Sequence, residues 1–533
     1  MSMNKSEEMC SNHKITKSAG VIGLATLFSR ILGFIRDIVI AQLFGVYVYA
    51  QAFVIAFKLP NLFRDLVGEG AANAAIIPVF SEYLAKDKKE EFWELSNILM
   101  NLLLVILAGI TVLGIILSPL LVRLIAPGFV NDPAQFAATV KLNRLIFPYT
   151  LLIGLTAYSI AILNSLRNFT IPAFAPCLLN ISIIACALIW GEGIKGLAAG
   201  VLIGGVLQLA VQLPLLYKKG FRFRFTGRFS HPAVHKIGKL MAPRLFSSAI
   251  YQLNNFVDTI FGSLVFIVGD GAVAALYFSY RLIQFPLGIF GNSLAQVILP
   301  TLSLQAVNPG DCRKFRDTLV FGLRSNLFVM IPASIGFMAL SKPIIAGLFG
   351  GGKFNAYSVE ITSGALFFYS IGLFAYGANR ILQCGFFALK DTLTPAFVSA
   401  AALAVNILLN VIFMYPLKLK GLALATSLSG IFSFFALFYI IDSKIGGLDK
   451  KNLVVFAAKV VLASLGMAAV CWWVARVNPM VGFNIISRII NLALPVVCGI
   501  LSYIIFSLAL GIGQARSLLR LKNAKGANSI NYK

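Results

Sequence analysis

The sequence predicts an all-α integral membrane protein with about 14 transmembrane helices. Of its 533 residues, 59% are hydrophobic and only 12% are charged, and the mean hydropathy is +0.86. A soluble domain has roughly twice that share of charged residues. Apolar runs of about 20 residues, which are long enough to cross a bilayer as helices, recur along the whole chain. Similar sequence blocks in the two halves further predict two parallel six-helix repeats, followed by two extra C-terminal helices.

Hydropathy places fourteen candidate spans along the chain, and we number them spans 1 to 14. A short apolar segment, 70–84, continues span 2 after a Gly-Glu-Gly break. The predicted spans are 20–45, 48–68, 94–123, 138–163, 172–190, 194–217, 238–264, 272–298, 317–341, 357–387, 394–415, 420–442, 453–475 and 484–512.

The basic residues between spans predict the orientation of the chain. Junctions that follow even-numbered spans are rich in Lys and Arg, with seven such residues between Lys218 and Lys239, whereas the odd-numbered junctions are poorer. Basic loops stay in the cytoplasm. An even number of spans, with both termini in the cytoplasm, satisfies this rule.

Three short motifs occur twice, at a nearly constant offset of 222–225 residues. LRNFTIPAF at 166–174 matches LKDTLTPAF at 389–397, and IPVFS at 77–81 matches LPTLS at 299–303. KGLA also occurs at 195–198 and again at 420–423. Spans 1–6 therefore resemble spans 7–12. Because six is even, both copies have the same orientation, which is the arrangement of transporters that work by alternating access between two lobes.

These observations predict six regions. They are a cytoplasmic N-terminal tail (1–19), an N-lobe of spans 1–6 (20–217), a basic cytoplasmic linker (218–237), a C-lobe of spans 7–12 (238–442), spans 13 and 14 (453–512) and a basic cytoplasmic tail (513–533).

Composition and motifs argue against several classes of protein. The seven cysteines are scattered and form no CxxC pair, so neither a disulfide framework nor a cysteine-based metal site is predicted. No metalloprotease, hydrolase, Walker A or dinucleotide motif occurs in the required context, so we expect no enzyme, no catalytic residue and no firm metal site. The net charge of +25 lies mainly in alternate loops, so it indicates membrane topology and no nucleic-acid partner.

Four arginines lie inside predicted spans: Arg30 and Arg36 in span 1, Arg64 in span 2 and Arg281 in span 8. If all four faced lipid, they would cost roughly 10–14 kcal/mol together. They must therefore face protein or water. One interpretation pairs them as structural ion pairs with the nearby acids Asp37, Asp65 and Glu69.

The other interpretation is an anion site between the lobes. The arginines outnumber their obvious partners and come from both predicted lobes. Arginine binds phosphate with two parallel hydrogen bonds, so four of them suit a pyrophosphate. We predict that Arg30, Arg36, Asp37, Arg64 and Arg281 bind the substrate headgroup. Candidate supporting residues are Glu69, Lys58 and Gln284.

A second polar set is predicted in the C-lobe. Asp258 lies in span 7, Asn406 and Asn410 lie four residues apart on one face of span 11, and Thr426 lies in span 12. Oxygen ligands of this kind suit Na⁺. Hydrogen bonding between helices is the alternative explanation.

Several long motifs in the sequence resemble the MurJ (MviN) family of lipid II flippases, in the multidrug/oligosaccharidyl-lipid/polysaccharide (MOP) exporter superfamily. They are SRILGFIRDIVIAQLFG, FKLPNLFRDLVGEGAANAAIIPVFSEY, APGF at 126–129, IPAFAPCLLNIS at 171–182 and the RLIQFP and ILPTLS segments. The resemblance extends over spans 1–12 in order.

The resemblance implies a V-shaped fold in a bacterial cytoplasmic (inner) membrane. It implies export of undecaprenyl-pyrophosphoryl disaccharide-pentapeptide, the lipid II precursor of peptidoglycan, from the inner to the outer leaflet. In the family, cavity arginines on spans 1, 2 and 8 are essential, and they fall here at Arg30, Arg36, Arg64 and Arg281, with the span 1 aspartate at Asp37.

The resemblance also implies a groove for the lipid tail at spans 13 and 14, with surrounding membrane lipids and the machinery of cell-wall synthesis and division as partners. It implies no cofactor, but coupling to Na⁺ or H⁺ and to the membrane potential. The cation ligands would fall at Asp258, Asn406, Asn410 and Thr426.

The sequence departs from the family pattern at four positions. Gln51, Gln284 and Tyr280 stand where related proteins carry acids, and Asn410 stands where an aspartate can bind the cation. These changes affect the predicted identity of the coupling ion more than the predicted substrate.

Three other functions are consistent with parts of this sequence. A flippase for another undecaprenyl-pyrophosphate-linked oligosaccharide, of the O-antigen or teichoic-acid type, would keep the arginines, but the span 1 and 2 motifs argue against it. A drug/cation antiporter would need an acidic cavity. A non-transporting membrane scaffold would usually have lost the arginines and carry a soluble partner domain.

Overall fold

The structure is a computed structural model that describes residues 5–64, 73–191, 193–227, 231–307, 312–477 and 485–516. The described residues are almost entirely helical, with one isolated antiparallel bridge between Gly351 and Phe354. A 3₁₀ turn, Pro127–Asn131, and a π-helical segment, Leu287–Gly291, interrupt the α-helices. In chain order the helices are α1 (Lys5–Phe44), α2 (Val48–Phe63), α3 (Asn73–Ala85), α4 (Lys89–Ile116), α5 (Ser118–Ile125), α6 (Pro133–Ile146), α7 (Tyr149–Ser165), α8 (Thr170–Trp190), α9 (Ile194–Ala210), α10 (Leu213–Lys219), α11 (Pro232–Gly262), α12 (Val265–Val268), α13 (Ala272–Pro286), α14 (Asn292–Val307), α15 (Cys312–Ala339), α16 (Ser341–Leu348), α17 (Ala356–Ile371), α18 (Leu373–Ala388), α19 (Leu393–Leu417), α20 (Leu419–Lys444), α21 (Lys450–Val477) and α22 (Ile485–Ala509).

The long apolar helices confirm a multi-pass membrane protein. Within the described ranges, ten helical segments are long and apolar enough to cross a bilayer, and α17 with α18, bent by 42° at their junction, makes an eleventh. These eleven coincide with predicted spans 3–6 and 8–14. Predicted spans 1, 2 and 7 form the helices α1, α2 and α11. The total of fourteen spans stays a prediction, because α1 carries three charges in its apolar stretch and α2 is only 16 residues long.

The repeat is visible in the backbone at the corners before α8 and α19. Arg167 and Lys390, at matching positions, both adopt left-handed backbone, with φ of 57° and 59°. Asn168 N donates to Leu163 O at 2.9 Å, and Asp391 N donates to Phe386 O at the same 2.9 Å. Both corners are therefore Schellman motifs, which end one helix so that the next can begin.

The matching KGLA motifs explain a second feature that the two copies share, which is the close packing of α8 against α9 and of α19 against α20. At Gly196, on α9, a Cβ would lie 3.0 Å from the Cys186 carbonyl oxygen of α8. At Gly421, on α20, a Cβ would collide with the Phe413 carbonyl oxygen of α19. Small residues let membrane helices pack backbone to backbone. The α8–α9 and α19–α20 pairs are thus corresponding hairpins, as the sequence repeat predicts.

The helices group into two compact units along the chain. Unit 1 is Met1–Val265 and unit 2 is Phe266–Lys533. In unit 1, α8 packs against α1 and α9, and α2 packs against α6. In unit 2, α19 packs against α20, and α21 packs against α15 and α22. The boundaries predicted for the lobes and tails, among them a C-lobe that begins at residue 238, stay predictions.

Candidate anion-binding site

Arg36 lies buried on α1 in a network with one acid and one amide. The Arg36 side chain is 6% exposed, and the Asp37 side chain is fully buried. Arg36 Nη2 and Nε donate to Asp37 Oδ1 at 2.7 and 3.1 Å, and Nη1 donates to Asn180 Oδ1 at 3.1 Å. Asn180 belongs to α8 and in turn donates to the Ser29 carbonyl of α1 at 3.2 Å. The packing of α8 against α1 therefore fixes the orientation of this guanidinium.

Two aromatic rings extend this network toward Arg64. The Arg36 guanidinium lies 5.6 Å from the centre of the Phe57 ring, which stacks on Tyr149 at 6.1 Å between centroids. The charges of Arg64 and Arg36 both act on the Tyr149 hydroxyl, which donates to Gln208 Oε1 at 3.2 Å. The structure thus brings the predicted residues Arg36, Asp37 and half-buried Arg64 together around Phe57 and Tyr149.

Arg30 lies elsewhere on the same helix. Its side chain is exposed and makes no ion pair with any residue that the structure describes. Six residues separate Arg30 from Arg36, so on an α-helix the two side chains point in directions about 120° apart. The Arg30 side chain is therefore exposed at the surface of unit 1 and points away from Arg36. The predicted partners Asp65 and Glu69 fall outside the described residues.

Lys58 of α2 contacts α11. Its ammonium donates to the Thr259 hydroxyl, lies 5.2 Å from the centre of the Phe256 ring and feels the charge of Asp258. Asp258 was predicted as a cation ligand, and Lys58 as a supporting residue of the anion site. Within unit 1, Lys58 of the predicted anion site therefore lies close enough to Asp258 of the predicted cation site for the two charges to interact.

Arg281 lies on α13 in unit 2. The half-buried Arg281 side chain places its guanidinium 5.9 Å from the centre of the Tyr277 ring, one turn earlier. Gln284 is half-buried on the next turn. Pro286 ends α13, and the π-helical segment Leu287–Gly291 follows. Proline inside a helix removes a backbone hydrogen bond and favours a break at this point, and π segments occur frequently at functional sites.

The polar set on α19 and α20 forms a chain of hydrogen bonds. Asn410 Nδ2 donates to Asn406 Oδ1 at 3.0 Å, Asn406 Nδ2 donates to Thr426 Oγ1 at 3.3 Å, and Thr426 Oγ1 donates to the Leu422 carbonyl at 3.1 Å. Asn410 Oδ1 is buried and accepts no hydrogen bond from the described residues. No group of three or more His, Cys, Asp or Glu side chains suited to a metal occurs in the described part of the chain.

A phosphate group would find charge-assisted donors in the arginine set. Guanidinium–phosphate hydrogen bonds are roughly twice as strong as neutral ones, and the low dielectric inside a membrane protein increases the difference. The Arg36–Asp37 pair also has a structural role, since removing one partner of a buried pair costs roughly 3–5 kcal/mol. Both interpretations of Arg36, as an ion pair and as an anion ligand, are compatible with this geometry.

Sequence reasoning missed several residues around these arginines. Asn180 accepts from Arg36, Phe57 lies beside the guanidinium and stacks on Tyr149, and Thr259 accepts from Lys58. A lone amide in the apolar stretch PCLLNIS was the available signal for Asn180. The aromatic residues gave no signal, because such side chains are common in every span.

Comparison with known proteins assigns a family. The family model described as lipid II flippase MurJ matches residues 40–493. A protein of Vibrio cholerae named probable lipid II flippase MurJ is 34% identical over 98% of this chain and 99% of its own length. A protein of Burkholderia cenocepacia named lipid II flippase MurJ is 32% identical over 84% of this chain and 88% of its own length.

Solved structures agree with this assignment. One titled lipid II flippase MurJ, inward closed conformation, has a TM-score of 0.77 and 29% identity, and covers 93% of this chain and 99% of its own. A multidrug resistance MATE family transporter of the MOP superfamily has a TM-score of 0.65 at 15% identity over 78% of this chain and 94% of its own, which shows a shared fold. With the family model matching most of its length, this chain belongs to the lipid II flippase MurJ family of multi-pass membrane transporters.

Proposed function

We propose that this chain moves lipid II from the inner to the outer leaflet of the bacterial inner membrane. The observation that carries the proposal is the Arg36 guanidinium, which is buried on α1, the helix of predicted span 1, and oriented by Asp37 and Asn180. A buried cation of this kind is expensive inside a membrane and marks a functional site. Membership of the flippase family supplies the substrate class.

In the proposed mechanism, the arginines bind the pyrophosphate while the two lobes alternate between inward-open and outward-open states. Arg36, Arg64 and Arg281 are the proposed ligands of the pyrophosphate. The lipid tail stays in the membrane along α21 and α22. Asp37 neutralises Arg36 when no substrate is bound, and substrate phosphate competes with it for the guanidinium.

The membrane potential supports export of this substrate. Each charge that crosses the membrane is worth about 2.3 kcal/mol per 100 mV. A headgroup with about two negative charges therefore gains roughly 4–5 kcal/mol when it leaves a negative interior. The arginine-rich carrier must then return, and a cation bound at Asn406, Asn410 and Thr426 of α19 and α20 would favour that return. The buried Asn410 oxygen that accepts no hydrogen bond from the described residues supports this cation proposal.

The proposed orientation places both termini in the cytoplasm, because the basic residues follow even-numbered spans. Contacts with proteins of cell-wall synthesis and division stay a prediction.

A reconstituted transport assay tests the proposal. Vesicles that contain the full chain and labelled lipid II should show headgroup transfer across the bilayer, and Arg64→Ala should abolish it. Arg123→Ala is the matched control, because Arg123 is an exposed arginine of unit 1 outside the proposed site. Full transfer by the Arg64→Ala protein would contradict the proposal. Measuring transfer by an Asn410→Leu variant with and without Na⁺ tests the cation step separately, since this variant should lose any Na⁺ dependence.

A further inference from the structure

A second group of arginines surrounds a cavity of about 690 Å³ within unit 2. The cavity lies between the first turns of α15 and the loop that joins α20 to α21. Three of its lining residues are arginines, Arg313, Arg316 and Arg324, and two are aspartates, Asp317 and Asp449. The lining therefore carries an excess of positive charge.

Two of these arginines are held in place by contacts on the cavity wall. Arg316 Nη1 donates to the loop carbonyls of Gly446 and Gly447 at 3.2 and 3.3 Å. The Arg324 guanidinium lies 5.7 Å from the centre of the Phe456 ring of α21. Arg324 Nε is buried and donates to no acceptor among the described residues. A charged donor in this state favours an anionic ligand.

One of the two carboxylates is already engaged. Asp449 Oδ1 accepts from Asn452 N at 3.3 Å, and the other carboxylate oxygen accepts from the Asn452 side chain. These hydrogen bonds hold the pKa of Asp449 below its usual range, with a smaller contribution from Arg324. Asp449 therefore stays ionised and caps α21, and its charge offsets part of the positive charge of Arg324.

The cavity lies at one end of the membrane-spanning helices. The apolar span of α15 begins at Arg313 and runs to Ala339. Phe321, at the cavity wall, is 59% exposed. The wall thus passes from arginines to apolar side chains within a few turns of α15. The positive-inside rule predicts that this end faces the cytoplasm.

The cavity is separate from Arg281. Helices α13 and α14, with the π segment between them, carry the chain from Arg281 to Val307, and α15 begins soon afterwards. At 1.5 Å per residue, this path covers roughly 39 Å, about the thickness of a membrane. The cavity arginines therefore lie on a different helix from Arg281, which does not line the cavity.

We propose that this cavity binds the phosphate group of an anionic phospholipid from the adjoining leaflet, with Arg316 and Arg324 as its ligands. Guanidinium groups match phosphate geometry, and basic pockets between membrane helices recognise lipid headgroups. The exposed Phe321 favours a lipid over a free anion, because acyl chains can lie along it. A bound headgroup would tie α15 to the α20–α21 loop, and so to α21.

Native mass spectrometry of the detergent-purified full chain tests this proposal with phosphatidylglycerol as the probe and phosphatidylcholine as its zwitterionic counterpart. The Arg316→Gln/Arg324→Gln protein should bind phosphatidylglycerol about tenfold more weakly, as expected for lost charge-assisted hydrogen bonds. Lys451→Gln is the matched control, since Lys451 is an exposed basic residue at the same end of α21 that does not line the cavity. The control should bind like the unaltered protein.

A polyprenyl pyrophosphate and inorganic phosphate distinguish the sources of the phosphate group. Arginine-dependent binding of phosphatidylglycerol supports the phospholipid. Arginine-dependent binding of the polyprenyl pyrophosphate or of inorganic phosphate, without a change for phosphatidylglycerol, overturns it in favour of that ligand. Equal binding of all probes by the double variant and the unaltered protein overturns the site itself.

If the double variant does not fold, chemical modification of arginines in the unaltered protein tests the same site. Phosphatidylglycerol should slow the modification of Arg324 by phenylglyoxal at least several-fold, while phosphatidylcholine should not. Equal modification rates with both lipids would overturn the proposal.

Discussion

The two sequence repeats agree in their backbone and differ in their buried charges. Arg167 and Lys390 end matching helices with the same left-handed conformation, and Gly196 and Gly421 allow the same close helix packing. At an offset of 222 residues, however, Arg36 of α1 corresponds to Asp258 of α11. Helices α2 and α13 instead carry a positive charge in both copies, since Lys58 of α2 corresponds to Arg281 of α13 at an offset of 223.

The features that the two copies share serve the fold, whereas the buried charges in which they differ are candidates for a role in transport. A corner or a helix crossing depends on backbone geometry, which both copies must satisfy in order to fold. A buried charge is destabilising unless its environment is matched to it, so each copy has its own partners. Arg36 has Asp37 and Asn180, whereas Asp258 faces Lys58. The transport chemistry is expected where the copies differ.

Among the tests that compare the two copies, the largest effect is expected from Arg281 of the second copy. Arg281→Ala should lower lipid II transfer about a hundredfold, equivalent to about 2.7 kcal/mol, because a donor to the pyrophosphate is lost. Arg380→Ala is the control, since Arg380 is an exposed arginine of unit 2 outside the proposed site. Equal transfer by both variants, measured in reconstituted vesicles, would mean that the second copy contributes no anion ligand.

A smaller effect is expected at the contact between α2 and α11. Lys58→Met should destabilise the protein by roughly 1–3 kcal/mol, because Thr259 loses its donor and Asp258 loses a nearby positive charge. The double variant Lys58→Met/Asp258→Asn should recover most of this loss in thermal unfolding. An unchanged unfolding temperature in the single variant would remove this contact from the account.

The corners should respond alike in the two copies. Arg167→Gly and Lys390→Gly should each stabilise the protein by roughly 0.5–1 kcal/mol, because glycine adopts positive φ without steric cost. Arg167→Val and Lys390→Val should each destabilise it by about 1–2 kcal/mol. Opposite signs at the two corners, in the same unfolding measurement, would contradict the shared geometry.

The smallest effect concerns an ion pair that the second copy lacks. Lys236 and Lys86 donate to Glu82, at 2.8 and 2.9 Å, and hold its pKa well below its usual value of 4.5. At an offset of 222 the second copy has Leu304. A carboxyl group whose pKa is lowered on folding stabilises the protein above its unfolded value, and this contribution is lost as pH falls toward the folded value.

Unfolding temperatures measured from pH 6 down to pH 3 test this ion pair. Glu82→Gln should make the temperature slightly less dependent on pH below about 4.5, with a small effect because the pair is exposed. Lys89→Gln is a suitable control at the same end of the helices, and it should keep the pH dependence of the unaltered protein.

The sequence predicted the fold more completely than the site. Eleven spans and the repeat followed from apolar runs and from motifs such as KGLA, because membrane burial and helix packing act on local sequence. The depth of Arg36 was also predicted. Its partners were not, since Asn180 lies 144 residues away and its contact depends on how α8 packs against α1. Arg324 was overlooked, because an arginine three turns into α15 resembles an ordinary interfacial residue.

The most direct test of the central claim is lipid II transfer by the double variant Arg36→Gln/Asp37→Asn. It removes both charges together, so that no buried charge is left unpaired, and both replacements keep side chains that can form hydrogen bonds. We predict a protein with a nearly unchanged unfolding temperature that does not transfer the lipid II headgroup. Transfer at the unaltered rate would show that the Arg36–Asp37 pair serves the fold alone, and would contradict its role in binding the pyrophosphate.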